Sequence, residues 1–408
     1  MAGLEPFEPT PRLAVAVSGG ADSTALALLS DLWARRRGGS IVALIVDHGL
    51  RKTSAAEAAL TSERLAARGI ANQVLRLTDL PYGPGIAERA RLARYQILTR
   101  ACAKAGIVHL LLGHHLADQA ETLLIRSLGG SGASGMAAMA GLIETRDLRL
   151  LRPLLGISPQ SLRGHLTAET MAWIEDPSNQ DTTALRPRLR TLRADRDGTG
   201  SATAALASSA AAHGQARAMR EAQAAATMAR TVSLRPEGFA VLPPGPIAPG
   251  VLAALVQTIS GAGYPADTAA IAKLSASPAP TTLGGTRIVR AGNNLLILRE
   301  EAAIGPNIAV FDGAVWDGRF RLRTLPSGTP SNGVCGKLGD AAARFRGLSD
   351  LPSAVLRGLP AIRIGEKLVS VPHLGYNDCE ISAAIEITFA PRRPAAQVVF
   401  ATAKDSRR

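Results

Sequence analysis

Cysteine is scarce in this chain of 408 residues: Cys102, Cys335 and Cys379 stand far apart and form no C-x-x-C pair. That excludes a disulfide framework and a zinc knuckle. Long apolar runs are missing as well. No stretch reaches the ~18 apolar residues of a membrane span, and the opening MAGLEPFEPTPR has acids and prolines where a secretory signal would be basic and then apolar. A cytoplasmic protein without a membrane partner is the expectation. Lysine is rare; Lys52, Lys104, Lys273, Lys337, Lys367 and Lys404 are all there are. The net charge of +13, from 46 basic against 33 acidic residues, therefore rests on arginine. Arginine is the better bidentate phosphate ligand, so a polyanionic partner such as RNA suits this balance. A general arginine bias would raise the count in the same way.

What is present centres on Leu13 to Leu29, LAVAVSGGADSTALALL. Leu13 to Val17 has the length of a buried strand. Ser18, Gly19, Gly20, Ala21, Asp22 and Ser23 interrupt it, and a helical pattern follows with Leu26, Leu29 and Leu32 on one face. A strand, a glycine turn and a helix start form a phosphate cradle, because glycine admits close backbone approach and the helix N-terminus offers unpaired N–H groups. The stretch has neither the Gly-Lys-[Ser/Thr] of a Walker loop nor the spacing of a dinucleotide fold. Ile41 to Val46 reads as a second strand, ending in Asp47-His48-Gly49-Leu50-Arg51. Residues 53–69 read as a helix capped by Thr53 or Ser54, with Glu57 completing a capping box. Further elements are a strand at 73–77, a helix at 86–105, a strand at 109–112 ending in Gly113-His114-His115, and a helix from about Ala117. Strands alternating with helices imply an α/β fold with a parallel sheet, whose ligands sit outside the carboxyl ends of the strands.

Three such ends carry polar chemistry. In HHLADQAET, Asp118 and Glu121 share a helix face, with His115 at the helix entrance. A histidine and two carboxylates there can bind Mg²⁺ through water, position a base or move protons. The bland alternative is a helix cap beside a solvated histidine.

SGGADS resembles the pyrophosphate-binding loop of the PP-loop ATPases. Together with VDHGLR, RARLARY (Arg89 to Tyr95), HHLADQAETLL, GGSGASGMAAM (Gly129 to Met139), LRPLL (Leu151 to Leu155), a helix over SPQSLRGHL, and WIEDPSNQDTTALRPRLR (Trp173 to Arg190), it resembles the tRNA(Ile)-lysidine synthetases. The match is close over about 10–195 and looser at 281–300; Ala117, Gly129 and Pro187 depart from the pattern. The resemblance implies a ligase with ATP and Mg²⁺ as cofactors and two substrates, an isoleucine tRNA with a CAU anticodon and L-lysine. It implies catalytic Asp22, His115, Asp118 and Glu121, with Asp22 and Asp118 also as metal ligands. ATP would be bound by Ser18, Gly19, Gly20, Ala21, Asp22, Ser23, Asp47 and His48, and tRNA by Arg91, Arg94, Arg186, Arg188 and Arg190. The arginines from 186 to 196 read independently as an RNA-phosphate contact or a solvated linker.

The expected organisation is a Rossmann-like PP-loop domain at 1–196, a helical linker and tRNA-binding middle domain at 197–303, and a small mixed α+β domain at 304–408. Residues 204–230 read as one long helix, and 305–325 alternate like antiparallel strands. His373 and Tyr376 read as loop residues with their bonds satisfied, with RNA contact as the alternative. A C-terminal strand edge could pair with a second copy, giving a homodimer. Two other readings stay open. One is another PP-loop enzyme, such as an amidating synthetase or a tRNA thiolase, although paired cysteines are lacking for the latter. The other is a basic RNA-binding protein that has lost catalysis.

Overall fold

After the exposed Arg12, the residues of β1 (Arg12–Val17) alternate between two apolar environments, and this sets the architecture of the first half. Leu13, Val15 and Val17 face a core shared with α1 (Ala21–Arg35), α2 and α5. Ala14 and Ala16 face the opposite core, built with Leu98 and Cys102 of α3. A strand buried on both faces belongs in the middle of a parallel sheet. The chain continues through β2 (Ser40–Asp47), α2 (Ser54–Ala67), β3 (Asn72–Arg76), α3 (Ile86–Lys104), β4 (His109–Leu111), α4 (Leu116–Leu128), β5 (Leu142–Glu144), β6 (Arg149–Leu151) and α5 (Pro159–Ala168). The computed structural model describes the chain apart from residues 2, 50, 52, 78–82, 84, 176–187, 190–194, 196–197, 325–331, 379–384, 397–399 and 401–408.

Strand order is β3-β2-β1-β4-β6-β5, parallel except for β5 against β6. The chain winds outward from β1 to β3, then returns to the other side of β1 with β4. The point of reversal opens a crevice at the carboxyl ends of β1 and β4. Two local expectations come out differently. Leu32 is 49% exposed, because α1 packs against both the sheet and α5 through small residues such as Ala27, Ser30 and Ala34. At α2, Thr53 makes no side-chain cap, and the Ser54 hydroxyl instead donates to Asp47 Oδ1 at 2.5 Å.

The chain forms two compact units that divide inside α6 (Ser201–Thr231), between Met219 and Arg220. In the second unit, a five-stranded antiparallel sheet from Ser233 to Arg299 carries two helices, Pro249–Ser260 and Thr268–Ala276. The alternating stretch forms the short strands Ile308–Ala309, Val315–Trp316 and Phe320–Thr324 of two further antiparallel sheets. Phe239, Leu296 and Leu298 share one core with Leu338, Phe345 and Leu356. The expected border at 303/304 thus falls inside one unit, because apolar residues on both sides of it bury each other.

Candidate active site

The turn after β1 is closed on itself. Ser18 N–H donates to Ser23 Oγ at 3.1 Å, and the Ser23 hydroxyl donates to Gly20 O at 3.1 Å. Gly19 has φ +86°, and a Cβ there would stand 2.5 Å from Thr61 Oγ1, so only glycine suits the position. The Gly19 carbonyl accepts from Ile174 N–H at 2.9 Å, which pins the turn to the segment beyond α5. Gly20 is the N-cap of α1 and supplies no side-chain cap. The first-turn N–H groups of α1 are therefore left for an anion. Behind them lies Gly113, where a Cβ would come within 3.1 Å of Ser23 Cα and 3.2 Å of Ser23 N. The end of β4 thus abuts the tip of α1.

Beyond this turn lies a cavity of about 320 Å³. Ala16, Leu44, Val46, Leu98 and Leu112 give it an apolar floor; Asp22, His48, Arg51, Glu57, Arg94, His114, Arg163 and Glu175 give it a charged rim. An apolar floor with a few convergent polar groups is the make-up of a small-molecule site, and the volume is in range. Ser18, Gly20, Ala21 and Ser23 also line it. Of the groups the sequence singles out, Asp47 is turned to its own loop: its Oδ1 accepts from Gly49 N–H at 3.0 Å and from Ser54 Oγ. The Ser54 hydroxyl holds the Asp47 carboxyl below the usual carboxylate range. His48 does line the cavity. Its Nδ1 is buried with no hydrogen-bond partner among the described residues, and burial, helped by the charge of Arg94, holds its pKa below the ordinary histidine value.

The two consecutive histidines diverge. His114 lines the cavity, whereas His115 is the N-cap of α4. Asp118 N–H donates to His115 Nδ1 at 3.4 Å, and His115 N–H donates to Asp118 Oδ2 at 3.0 Å. The far side of the ring, Nε2, stands 3.5 Å from Asp22 Oδ2. One imidazole therefore links the first turns of α1 and α4. Glu121 is fully buried on the inner face of α4. Neither Asp118 nor Glu121 is among the described residues lining the cavity. Ala117 is buried where a Cβ on Gly198 would approach it to 2.7 Å, so a larger side chain than alanine would collide there.

Arg91 and Arg94 of α3 flank the ring of Tyr95 at 5.5 and 5.7 Å, and only Arg94 reaches the cavity lining. Arg188 is exposed; Arg186 and Arg190 lie outside the described residues. Among the described residues no three His, Cys, Asp or Glu side chains gather as a metal cage. His373 and Tyr376, in the second unit, hydrogen-bond Pro236 O and Arg344 respectively. Sequence reading missed Arg51, Glu57, Gly113, His114, Arg163 and Glu175 as lining residues. Arg51, Gly113 and His114 carried a signal, because they stand in the polar stretches that follow two of the strands.

The family described as the PP-loop domain matches residues 3–194. A tRNA(Ile)-lysidine synthase of Ruegeria pomeroyi is 36% identical over 90% of this chain and 90% of its own length. The enzyme of the same name from Mesorhizobium japonicum is 36% identical over 84% of this chain and 79% of its own. That of a Bradyrhizobium species is 42% identical over 46% of this chain and 53% of its own. With a phosphate turn at the switch point of its sheet and likeness along nearly its whole length, this chain belongs to the tRNA(Ile)-lysidine synthase family.

Proposed function

We propose that this chain joins L-lysine to C2 of the first anticodon cytidine of an isoleucine tRNA with a CAU anticodon, turning ATP into AMP and pyrophosphate. The observation that carries this reading is the cavity itself. It has an apolar floor for a base, a glycine turn with first-turn N–H groups at one end, and arginines at the rim. In the first step the C2 carbonyl oxygen attacks the α-phosphorus of ATP, the bond to the β-phosphate oxygen breaks, and pyrophosphate leaves. The N–H groups at the start of α1 would hold the charge that grows on that leaving group. In the second step the ε-amine of lysine attacks C2, the C2–O bond breaks, and AMP departs with the oxygen.

Asp22 is the carboxylate of this chain best suited to Mg²⁺, since it lines the cavity beside the phosphate turn. One or two carboxylates plus substrate phosphates are the usual protein share of such a site. Bound Mg²⁺ would neutralise phosphate charge there. Asp118 spends one oxygen on the cap of α4, and we assign it, through His115, the orienting of Asp22. The negative charge of Asp22, Asp118 and Glu121 suits the ammonium groups of lysine, and a carboxylate of this set would take the proton the attacking amine sheds. Arg91, Arg94 and Arg188, with Arg186 and Arg190, would meet tRNA phosphates. In this reading the substrate is a cytoplasmic tRNA.

The test is incorporation of radiolabelled lysine into an unmodified isoleucine tRNA transcript with a CAU anticodon, following AMP and pyrophosphate together. Lysine entering the tRNA with equal amounts of both products is the expected result. Pyrophosphate without lysine incorporation would leave ATP activation but overturn the nucleophile or the RNA.

A further inference from the structure

The ligase reading leaves Arg152, the residue after β6, without a task. It is 6% exposed, and burial lowers the pKa of its guanidinium. Its Nε donates to His114 Nδ1 at 3.3 Å, its Nη1 to Ala140 O at 2.8 Å, and its backbone N–H to Gly141 O at 2.7 Å. A guanidinium has donors only. The ring nitrogen that faces it must offer a lone pair, so the ring proton of His114 sits on Nε2. His114 is the histidine on the cavity wall.

Ala140 and Gly141 end the glycine-rich loop of residues 129–141, and that loop is strapped down from several sides. The Gln119 amide donates to Met139 O at 2.9 Å and accepts from Met139 N–H at 2.8 Å, and Arg126 donates to Gly135 O at 2.7 Å. Residues 129–134 are exposed. Arg152 thus touches both an exposed loop and a wall of the cavity. The same strand pair provides a built-in control at its other end. His109 of β4 stands in register with Arg149 of β6, and its Nδ1 lies 3.4 Å from Arg149 Nη1. There Nε2 meets Glu8 at 3.0 Å, and neither residue lines the cavity.

We propose that Arg152 is a positioning residue for the ATP-dependent step. Its bonds to His114 and Ala140 hold His114 as an Nε2–H donor toward a phosphate oxygen of the bound nucleotide and tie that donor to the loop of residues 129–141. This rests on the ligase reading above for the identity of the nucleotide step. It assigns His114 the role of donor and denies it that of base.

The experiment uses the full chain labelled with ¹⁵N-histidine, the His114 signals being assigned by their loss in His114→Gln. The wild type is expected to show the Nε2–H tautomer of His114. Arg152→Met should mix the tautomers and lower kcat by about 10–100-fold, the usual cost of removing an orienting partner. KM for ATP should stay within about threefold, and Arg152→Lys, which keeps a donor, should recover part of the loss. His114→Gln keeps a side-chain N–H, so adding Arg152→Met to it should cost less than about twofold more. Arg149→Met removes a similar bond and should leave the His114 tautomer unmoved. An unchanged tautomer in Arg152→Met, or losses that multiply in the double variant, overturns the proposal. If Arg152→Met fails to fold, the wild-type tautomer decides: an Nδ1–H His114 overturns the proposal. A tautomer shift together with impaired ATP–pyrophosphate exchange, but no lysine incorporation by the wild type, would sink the ligase reading and leave the pair standing.

Discussion

The two units handle buried charge in opposite ways. In the first, Asp22, His115, Asp118, His114 and Arg152 form chains of contacts that lead to a cavity wall. In the second, Asp317 is 2% exposed and closes on itself. Its carboxylate takes Arg299 Nε at 3.0 Å, Arg299 Nη2 at 2.9 Å, Arg319 Nε at 2.8 Å and Gly305 N–H at 2.9 Å. Burial would push the Asp317 carboxyl up, but the two guanidiniums outweigh it and hold it low. Burial brings Arg319 down to about 10. Acid and arginine in contact are thus a staple where every group faces another and a site where one side faces open volume. Ion-pair geometry alone does not separate the two.

The sharpest way to break that contrast is to neutralise one aspartate in each unit. Asp22→Asn should lower kcat/KM for lysidine formation by about 10²–10³-fold, the scale of one group stabilising developing charge. Its melting free energy should stay within about 0.5 kcal/mol, because the side chain is partly exposed. Asp317→Asn should do the reverse. Asparagine tolerates the φ of +50° at this position, so the variant isolates the charge. Two buried arginines left without their anion should cost about 3–5 kcal/mol, with KM for ATP unchanged. Paired urea melts and steady-state kinetics on both variants check this. If Asp22→Asn melts early, or Asp317→Asn alone loses turnover while still folded, the division into site and staple is mistaken.

A smaller effect is expected at Gly113. An added methyl there would press on backbone atoms of residues 22 and 23, which cannot swing aside as a side chain can. Gly113→Ala should shift the tip of α1, lowering kcat/KM for ATP by about 10–100-fold and costing about 1–3 kcal/mol. Gly164→Ala, at an exposed position of α5 where φ is not positive and a Cβ meets nothing within 4 Å, serves as the control for glycine loss as such. Equal kinetic losses in both variants would remove Gly113 from the site.

Much of this contrast was legible beforehand, and the physical reasons differ by element. β1, its turn and α1 stood out because a two-face-buried strand must be continuously apolar and a phosphate turn must be glycine-rich. The hairpin of β5 and β6 did not, since three-residue strands are too short to show a period. With β6 went Arg152, whose partner is distant in sequence and adjacent only across strands. The identity of the cavity histidine was equally hidden. His114 and His115 differ by one position, and the start of α4 decides which ring turns inward. The bond of Ser54 has the same origin: its hydroxyl donates to Asp47, a partner that only the fold brings within reach. The single core across 303/304 gathers residues as far apart in sequence as Leu298 and Leu356, which no local pattern announces.

The smallest effect sharpens the comparison through pH. Burial holds His48 and His109 in the first unit, and His373 in the second, below the ordinary histidine pKa. Each binds its proton less tightly when folded than when unfolded, where it titrates near pH 6.5. Between the folded value and about 6.5 the unfolded chain binds more protons, so stability rises with pH there. Equivalently, it is lost as pH falls below about 6.5, by at most about 1.4 kcal/mol per pH unit for each histidine. Each unit thus has an acid slope of its own, set by His48 and His109 in the first and by His373 in the second. Amide exchange in β4 and in the strand Pro360–Ile364, followed from about pH 7 to 5.5, reads the two slopes separately. His109→Gln should flatten the first and leave the second alone, and His373→Gln should do the converse. A slope in β4 that survives replacement of both His48 and His109 would mean that another group, and not buried imidazole, sets the acid limit of the catalytic unit.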